Sequence, residues 1–452
     1  MKLPKKEVLS VFSKPKKIIY FLLAIVATAL LSQVFNLPAN SQILSPQQLG
    51  KVIEETEKSW EQQYEEYFDT DFTNYEKTKS QIASQLAQLS RETGTKPAVI
   101  WTVPVEKELH LMLITPDREP IVKFVKAANS KLLFKIIEIL DKNIYGSLAI
   151  NSTAYLPPAQ LLYKWLIAPL EPELQAENID TLMIASGAGL RSFPFAMLHD
   201  GEQFLIEKYA LVRIPAFNLT DVSYDKIDRD RLKVLAMGVS EFQDRPPLPG
   251  VAAEVALITP ELIPGKAILN NDSTVENLKS QYQQGDYNMI HLATHAEFNS
   301  GSPKNSYIEF AQTKLSLDNV EQLNLGRPPL DLLVLSACKT AVGSKQAELG
   351  FAGLFLEVGA KSSLASLWDI SDLGTTILMT EFYQNLKFDS VKVKALQEAQ
   401  IAMLKGNTSL PKSQLRNSQE IISLLQNIPE NEFEKLSHPF YWAGFSLVGN
   451  PW

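Results

Sequence analysis

The spacing of apolar residues changes several times along this chain, and each change marks a new element. From Ile18 to Leu31 no charge interrupts the apolar run. Between Ser45-Pro46 and Thr93-Gly94, the residues Ile53, Trp60, Tyr64, Tyr67, Phe68, Phe72, Tyr75, Ile82, Leu86 and Leu89 recur at helical spacing. That stripe predicts one long amphipathic helix, or two broken near Asp69-Thr70-Asp71. Ser45 before Pro46 is a helix start, and Thr93-Gly94 followed by Pro97 is a stop. From Pro97 the period falls to two, and residues 98–103, 109–115 and 121–125 predict an antiparallel set of strands. Residues 133–140 and 158–166 read as helices and 181–185 as a strand. The Gly187-Ala188-Gly189 that follows lacks the third glycine of a dinucleotide loop and predicts a tight turn. His199-Asp200-Gly201 is likewise turn chemistry.

The second half alternates strands with helices. Residues 232–238 form a strand, and 252–257 and 273–281 form helices, the latter opened by a Ser273/Glu276 capping box. The apolar segment from Tyr287 predicts a strand whose tip is His295, with a polar loop beginning there. A short strand at 306–310 and a helical turn at 317–325 precede a second apolar strand from Asp331, which ends at Cys338. Residues 349–358, 372–387 and 391–404 are helical, 362–367 is a strand, and 438–445 closes the sheet with a final strand. Such alternation argues for an α/β fold with a doubly wound, mostly parallel sheet.

Composition narrows the class. The chain has 452 residues, 45% hydrophobic and 21% charged, ordinary for a folded globular protein. Forty-three basic against fifty-one acidic side chains give −8, with no basic block outside the extreme N-terminus, which argues against nucleic-acid binding. Residues 1–17 hold six lysines and one glutamate ahead of the apolar run, the layout of an export signal. Small residues around Ala39 and Ser41 offer a cleavage point after Ser41. Extended to Phe35, the run reaches 18 residues and is the alternative, an uncleaved membrane anchor. Either way the lysines stay on the cytoplasmic side, and the expected location of the remainder is extracytoplasmic.

Cys338 is the only cysteine, which excludes an internal disulfide, a Cys-rich zinc site and a CxxC redox pair. It is either a small buried hydrophobe or a functional thiol. His295 precedes it by 43 residues, and both fall at carboxyl ends of presumed neighbouring strands, where reactive groups collect in open α/β sheets. A thiol becomes a nucleophile only as the thiolate, and an adjacent imidazole supplies that activation. This reading requires both side chains to project into one solvent-reachable hollow. His291 and His295 are four apart, but Leu292 stands where a zincin motif has Glu, so no metal is expected. Glu297 either orients His295 or is a solvated loop residue.

Four ordered motifs carry a family resemblance: His291 to His295 (HLATH), Leu335 to Ala341 (LSACKTA), Ser366 to Asp369 (SLWD) and His438 to Phe445 (HPFYWAGF). Together they resemble the CHAT domain, a caspase-like cysteine-peptidase family related to separase, from about residue 98 to the C-terminus. The lysine-led apolar run assigns residues 1–41 to a signal or anchor and the helical spacing assigns 42–97 to a helical region, while the resemblance implies 98–225 as an N-terminal half without a catalytic pair and 226–452 as the catalytic half. It implies a His295/Cys338 dyad hydrolysing peptide bonds in protein substrates, with no cofactor. It further implies oxyanion donors at the backbone N–H groups of Ala296 and Cys338, and a substrate pocket near Trp368, Asp369 and Asp372. Ala296 stands where caspase-like peptidases usually have Gly. Helix 53–89 is either a partner-binding surface or packing against the domain, and the alternative to a peptidase is a catalytically idle scaffold.

Overall fold

The computed structural model describes residues 46–72, 77–116, 118–145, 149–224, 231–326, 330–340, 344–388, 391–408 and 435–452. The signal or anchor of residues 1–41 lies outside the described residues, and no described helix is long and apolar enough to cross a membrane.

Thirteen strands among the described residues form one mixed sheet. In chain order they are β1 Pro97–Pro104, β2 Leu109–Ile114, β3 Ile121–Val125, β4 Thr181–Ser186, β5 Ala210–Ile214, β6 Val234–Gly238, β7 Gly265–Leu269, β8 Met289–Phe298, β9 Tyr307–Glu309, β10 Lys314–Ser316, β11 Leu332–Thr340, β12 Ser362–Ser366 and β13 Phe445–Gly449. The longer helices are α1 Pro46–Phe68, α2 Lys79–Thr93, α3 Ser130–Tyr145, α4 Leu156–Leu166, α5 Val251–Ala256, α6 Val275–Gln284, α7 Lys345–Val358, α8 Asp372–Phe388 and α9 Lys392–Leu404. Across the sheet the order is β10-β9-β8-β11-β12-β13-β5-β4-β1-β2-β3, with β6 also paired to β8, and β7 to β6. The pairs β6 with β7 and β8, β8 with β11, β11 with β12, and β1 with β4 with β5 are parallel, as the strand–helix alternation predicts. The hairpins β1–β2–β3 and β8–β9–β10 are antiparallel.

The last strand does more than the sequence suggests. Residues 438–445 were expected to be a strand, but His438 caps a helical turn at Pro439–Trp442, its Nδ1 accepting the Phe440 N–H at 3.2 Å. The strand begins at Phe445 and lies between the two halves of the sheet, antiparallel to β12 and parallel to β5. Gly449, at φ 101°, lets this seam close, since a Cβ there would meet the Lys361 carbonyl oxygen at 2.6 Å.

The aromatic stripe at 53–89 packs into and against the core, apart from Tyr75, which lies outside the described residues. The helix breaks after Phe68, near the expected Asp69-Thr70-Asp71, and the second helix starts at a Thr78 capping box and ends on left-handed Gly94. Ile53, Trp60, Tyr64, Phe68, Ile82, Leu86 and Leu89 are all buried. Tyr64 and Phe68 pack on Gly353 of α7, and Glu57 accepts the Trp101 indole N–H at 2.5 Å. The partner-surface reading of this stripe is therefore replaced by packing against the domain. A second correction concerns α6: Thr274, not Ser273, is the cap, accepting from the Asn277 N–H, because the Ser273 hydroxyl is committed to the Gly238 and Ile268 carbonyls.

Candidate active site

Strands β8 and β11 lie side by side in parallel, and both run beyond the expected tips at His295 and Cys338. Ile308 and Tyr307 of β9 pair with Ala296 and Glu297, which turns the presumed loop after His295 into strand. The ladder steps evenly up to Leu335 opposite Leu292, then shifts, so that Ala337 faces His295 and Cys338 faces Ala296. Residues level with one another on neighbouring strands share a face, and consecutive residues alternate. The imidazole and the thiol thus stand on adjacent strands, one residue out of level, and leave the sheet on opposite faces. The common hollow that a working dyad requires is not formed in this state.

The thiol is closed off. Cys338 has 0% exposure, and its Sγ donates to the Leu335 carbonyl at 3.4 Å. Pairing between β11 and β12 ends at Leu335 and Ala365, and beyond it the Ser366 hydroxyl takes over both backbone groups of Cys338. It accepts the N–H at 3.1 Å and donates to the carbonyl at 3.1 Å. Burial pushes the thiol well above its ordinary range; the Ser366 bond works the other way and the Asp369 carboxylate adds to the rise. The Cys338 N–H, expected as an oxyanion donor, is occupied by Ser366. Ala296 sits within the ladder between Ile308 and Cys338. It is not among the described non-glycine residues with positive φ, which are Asp69, Asn178, Asn270 and Asn324. Its methyl group therefore carries no left-handed strain.

His295 is half-buried and differently placed. Its ring lies against Phe242, with centroids 4.6 Å apart, and its Nε2 is 3.2 Å from the Pro246 carbonyl oxygen. A carbonyl oxygen only accepts, so this bond calls for the proton on Nε2, and in a neutral ring the lone pair, the basic site, is then on Nδ1. Asp372, at the start of α8, accepts the Gly250 N–H at 3.0 Å. Burial raises its carboxyl, the Gly250 bond opposes this, and Glu254 and His295 are the charges it feels.

The other expected site residues are dispersed. Trp368 is buried, donates its indole N–H to the Phe440 carbonyl at 2.9 Å and meets Tyr145 edge-on, so in this state it is core. Asp369 is exposed and pairs with Lys339 at 3.6 Å. Asp372 belongs to the surroundings of the imidazole. Glu297 binds Arg245 at 2.7 Å rather than the His295 ring itself. His291 is fully buried, 2.9 Å from Glu254 and 3.2 Å from the Tyr383 hydroxyl. Among the described residues no three His, Cys, Asp or Glu side chains gather as metal ligands.

A cavity of about 480 Å³ adjoins the carboxyl ends of β4 and β12, lined by Phe134, Asp141, Tyr145, Ser192, Lys345 and Leu367 among others. Burial alone raises the Asp141 carboxyl to about 6. Sequence reasoning did not find Phe242, Pro246 or the role of Ser366. The first two sit in a proline-rich loop with no chemical signature, and Ser366 was visible only as part of a motif.

The CHAT domain profile matches residues 156–450, well over half of the chain. This chain belongs to the CHAT domain family. Strands β1 to β3 precede the matched CHAT region but are hydrogen-bonded into its sheet through β1 and β4. Tetratricopeptide repeat protein 28 of Mus musculus and that of Homo sapiens are each 23% identical to this chain, over 354 and 353 residues. The match covers 65% of this chain but only 13% of those relatives. Two structures of the Saccharomyces cerevisiae separase–securin complex align with 96% and 97% of this chain and 38% and 36% of theirs, at 10% identity. Their TM-scores are 0.50 and 0.54, so the CHAT domain shares a caspase-like fold with separase.

Proposed function

We propose that this protein is a cysteine endopeptidase of caspase-like type, with Cys338 as nucleophile and His295 as base, and that the state described here is a latent one. The observation that carries the reading is the imbalance between the two residues. The His295 ring is already held, its Nε2 bonded to the Pro246 carbonyl, while the only thiol of the chain is held one residue out of level on the adjacent strand. Activation then consists of releasing Cys338 from Ser366 and shifting the end of β11 beyond Leu335 by one residue along β8, which brings the thiol level with His295 on the same face.

In the released state His295 Nδ1 takes the thiol proton as sulfur attacks the carbonyl carbon of the scissile peptide bond. The backbone N–H of Cys338, freed from Ser366, and that of Ala296 supply the oxyanion donors; in a serine peptidase loss of one such donor costs about 2.7–4 kcal/mol. The imidazolium returns its proton to the leaving amine, and water hydrolyses the acyl-enzyme. The substrate is a protein or peptide. Export or tethering through residues 1–41 places this activity outside the cytoplasm, with a membrane contact if that segment is retained.

The sealed thiol favours a second reading, a caspase-fold scaffold without catalysis. A peptidyl electrophile separates the two. Covalent labelling of Cys338 that is lost in His295→Ala supports the peptidase; no labelling under any activating condition leaves the scaffold.

A further inference from the structure

The loop between β6 and α5 supplies both groups that hold the imidazole, Phe242 and the Pro246 carbonyl, yet its backbone is tied to the fold mainly at its base. There the Ser240 N–H and hydroxyl bind Asn270 at 2.9 and 2.8 Å, and the Leu248 N–H returns to the Ser240 carbonyl at 2.9 Å. At the tip, Arg245 reaches out to the two strands beside His295. Its Nη1 meets Glu297 of β8 at 2.7 Å, its Nε meets Glu309 of β9 at 3.0 Å, and its Nη2 donates to the Tyr307 hydroxyl. Arg245 is the residue immediately before Pro246, and Glu297 lies two residues after His295. The contacts therefore close a small ring: His295 to the Pro246 carbonyl, along one peptide to Arg245, across to Glu297, and back along β8.

We infer that Arg245 is a positioning residue for His295: its fork on Glu297 and Glu309 holds the Pro246 carbonyl against Nε2 and so selects the tautomer that leaves Nδ1 as the base. This rests on the reading of His295 as the base of the site. A guanidinium suits the task because it is planar and offers donors in several fixed directions, which one ammonium cannot match. The pairing is secure over the neutral range. Burial of Glu297 is the largest single influence and opposes its ionisation, but the bonds from Arg245, Asn299 and Tyr307 and the Arg245 charge together outweigh it and hold that carboxyl at about 2. Lys314 joins the cluster from β10, 3.7 Å from Glu309, so the two carboxylates are shared between two cations. An ion pair on a protein surface is ordinarily worth little to stability. The expected consequence of losing this one is a change in the imbalance between the two ring nitrogens.

The test is nitrogen NMR of the full chain with ¹⁵N-labelled histidine, in which the chain's five histidines give few signals and His295 is assigned by its loss in His295→Gln. Wild type is expected to show one dominant form protonated at Nε2. Arg245→Met should shift the tautomer ratio roughly tenfold toward the Nδ1–H form, the scale of one hydrogen bond, with Arg245→Lys recovering part of the difference. Glu297→Gln, which keeps the side-chain shape, should move the ratio in the same direction and serves if Arg245→Met fails to fold. A wild-type ratio in Arg245→Met, or in folded Glu297→Gln, overturns the inference. Because the readout needs no turnover, absence of electrophile labelling at Cys338 counts against the peptidase and not against this positioning role.

Discussion

Replacing Ser366 with Ala should open the closed thiol, and the size of the effect follows from the contacts. The hydroxyl makes two hydrogen bonds to the backbone of Cys338, both at 3.1 Å, and is itself fully buried. Each such bond contributes about 0.5–1.5 kcal/mol net, so the closed state loses about 1–3 kcal/mol relative to any state in which water solvates the same groups. An alkylating reagent reaches Cys338 only through that open state, and its rate follows the open population. Labelling of Ser366→Ala by iodoacetamide should therefore run about 5-fold to 150-fold faster than wild type under native conditions. The single cysteine makes the assay unambiguous, since any adduct seen by mass spectrometry is at Cys338. Ser362→Ala is the control, because that hydroxyl lies on the same strand but binds the Asp331 carbonyl. Equal rates in Ser366→Ala and wild type, within a factor of about two, would refute the reasoning. So would a wild-type chain that already labels as fast as its unfolded form.

Two further outcomes follow from other sites. Asp141 has its carboxyl raised to about 6 by burial, above its unfolded value, so the unfolded chain ionises first and stability falls as pH rises between about 4 and 6. Asp141→Asn should flatten that slope and be about 1–3 kcal/mol more stable than wild type above pH 6, measured by urea unfolding at several pH values; a slope unchanged by the substitution would contradict the assignment. Gly353→Ala places a methyl 2.5 Å from Phe68 and 3.0 Å from Tyr64, and should loosen α1 from α7 at a cost of about 1–3 kcal/mol. Faster hydrogen exchange confined to residues 46–68 is the expected signature, and global exchange changes without a local one would count against it.

Most elements were legible because their periodicity is local. The alternation at 98–125 and the apolar strands at Tyr287 and Asp331 need no distant partner to be seen. What escaped depends on pairing. Ala296 to Phe298 read as loop because Glu297 and the following Asn299 are polar, but β9 covers this stretch and makes it strand. The sequence brings His295 and Cys338 to neighbouring strands, whereas the face each side chain takes is set by one register shift between Leu335 and Ala337 that no composition signals. Pro246 acts through its carbonyl, which every residue possesses, so its side chain announces nothing. The cap of α6 was misplaced by one residue because Ser273 and Thr274 are equally good caps until the Gly238 carbonyl claims the serine.

Strand β13 has a consequence for synthesis. Its neighbours β12 and β5 are separated from it by about 80 and 235 residues of chain, and it follows both in translation order. A ribosome delivers each half before the strip that fastens them, so until residues 445–449 emerge, β5 and β12 each present a bare edge. The proteolytic half proposed here would thus stay unfastened while the nascent chain is still surrounded by the cell's own proteins.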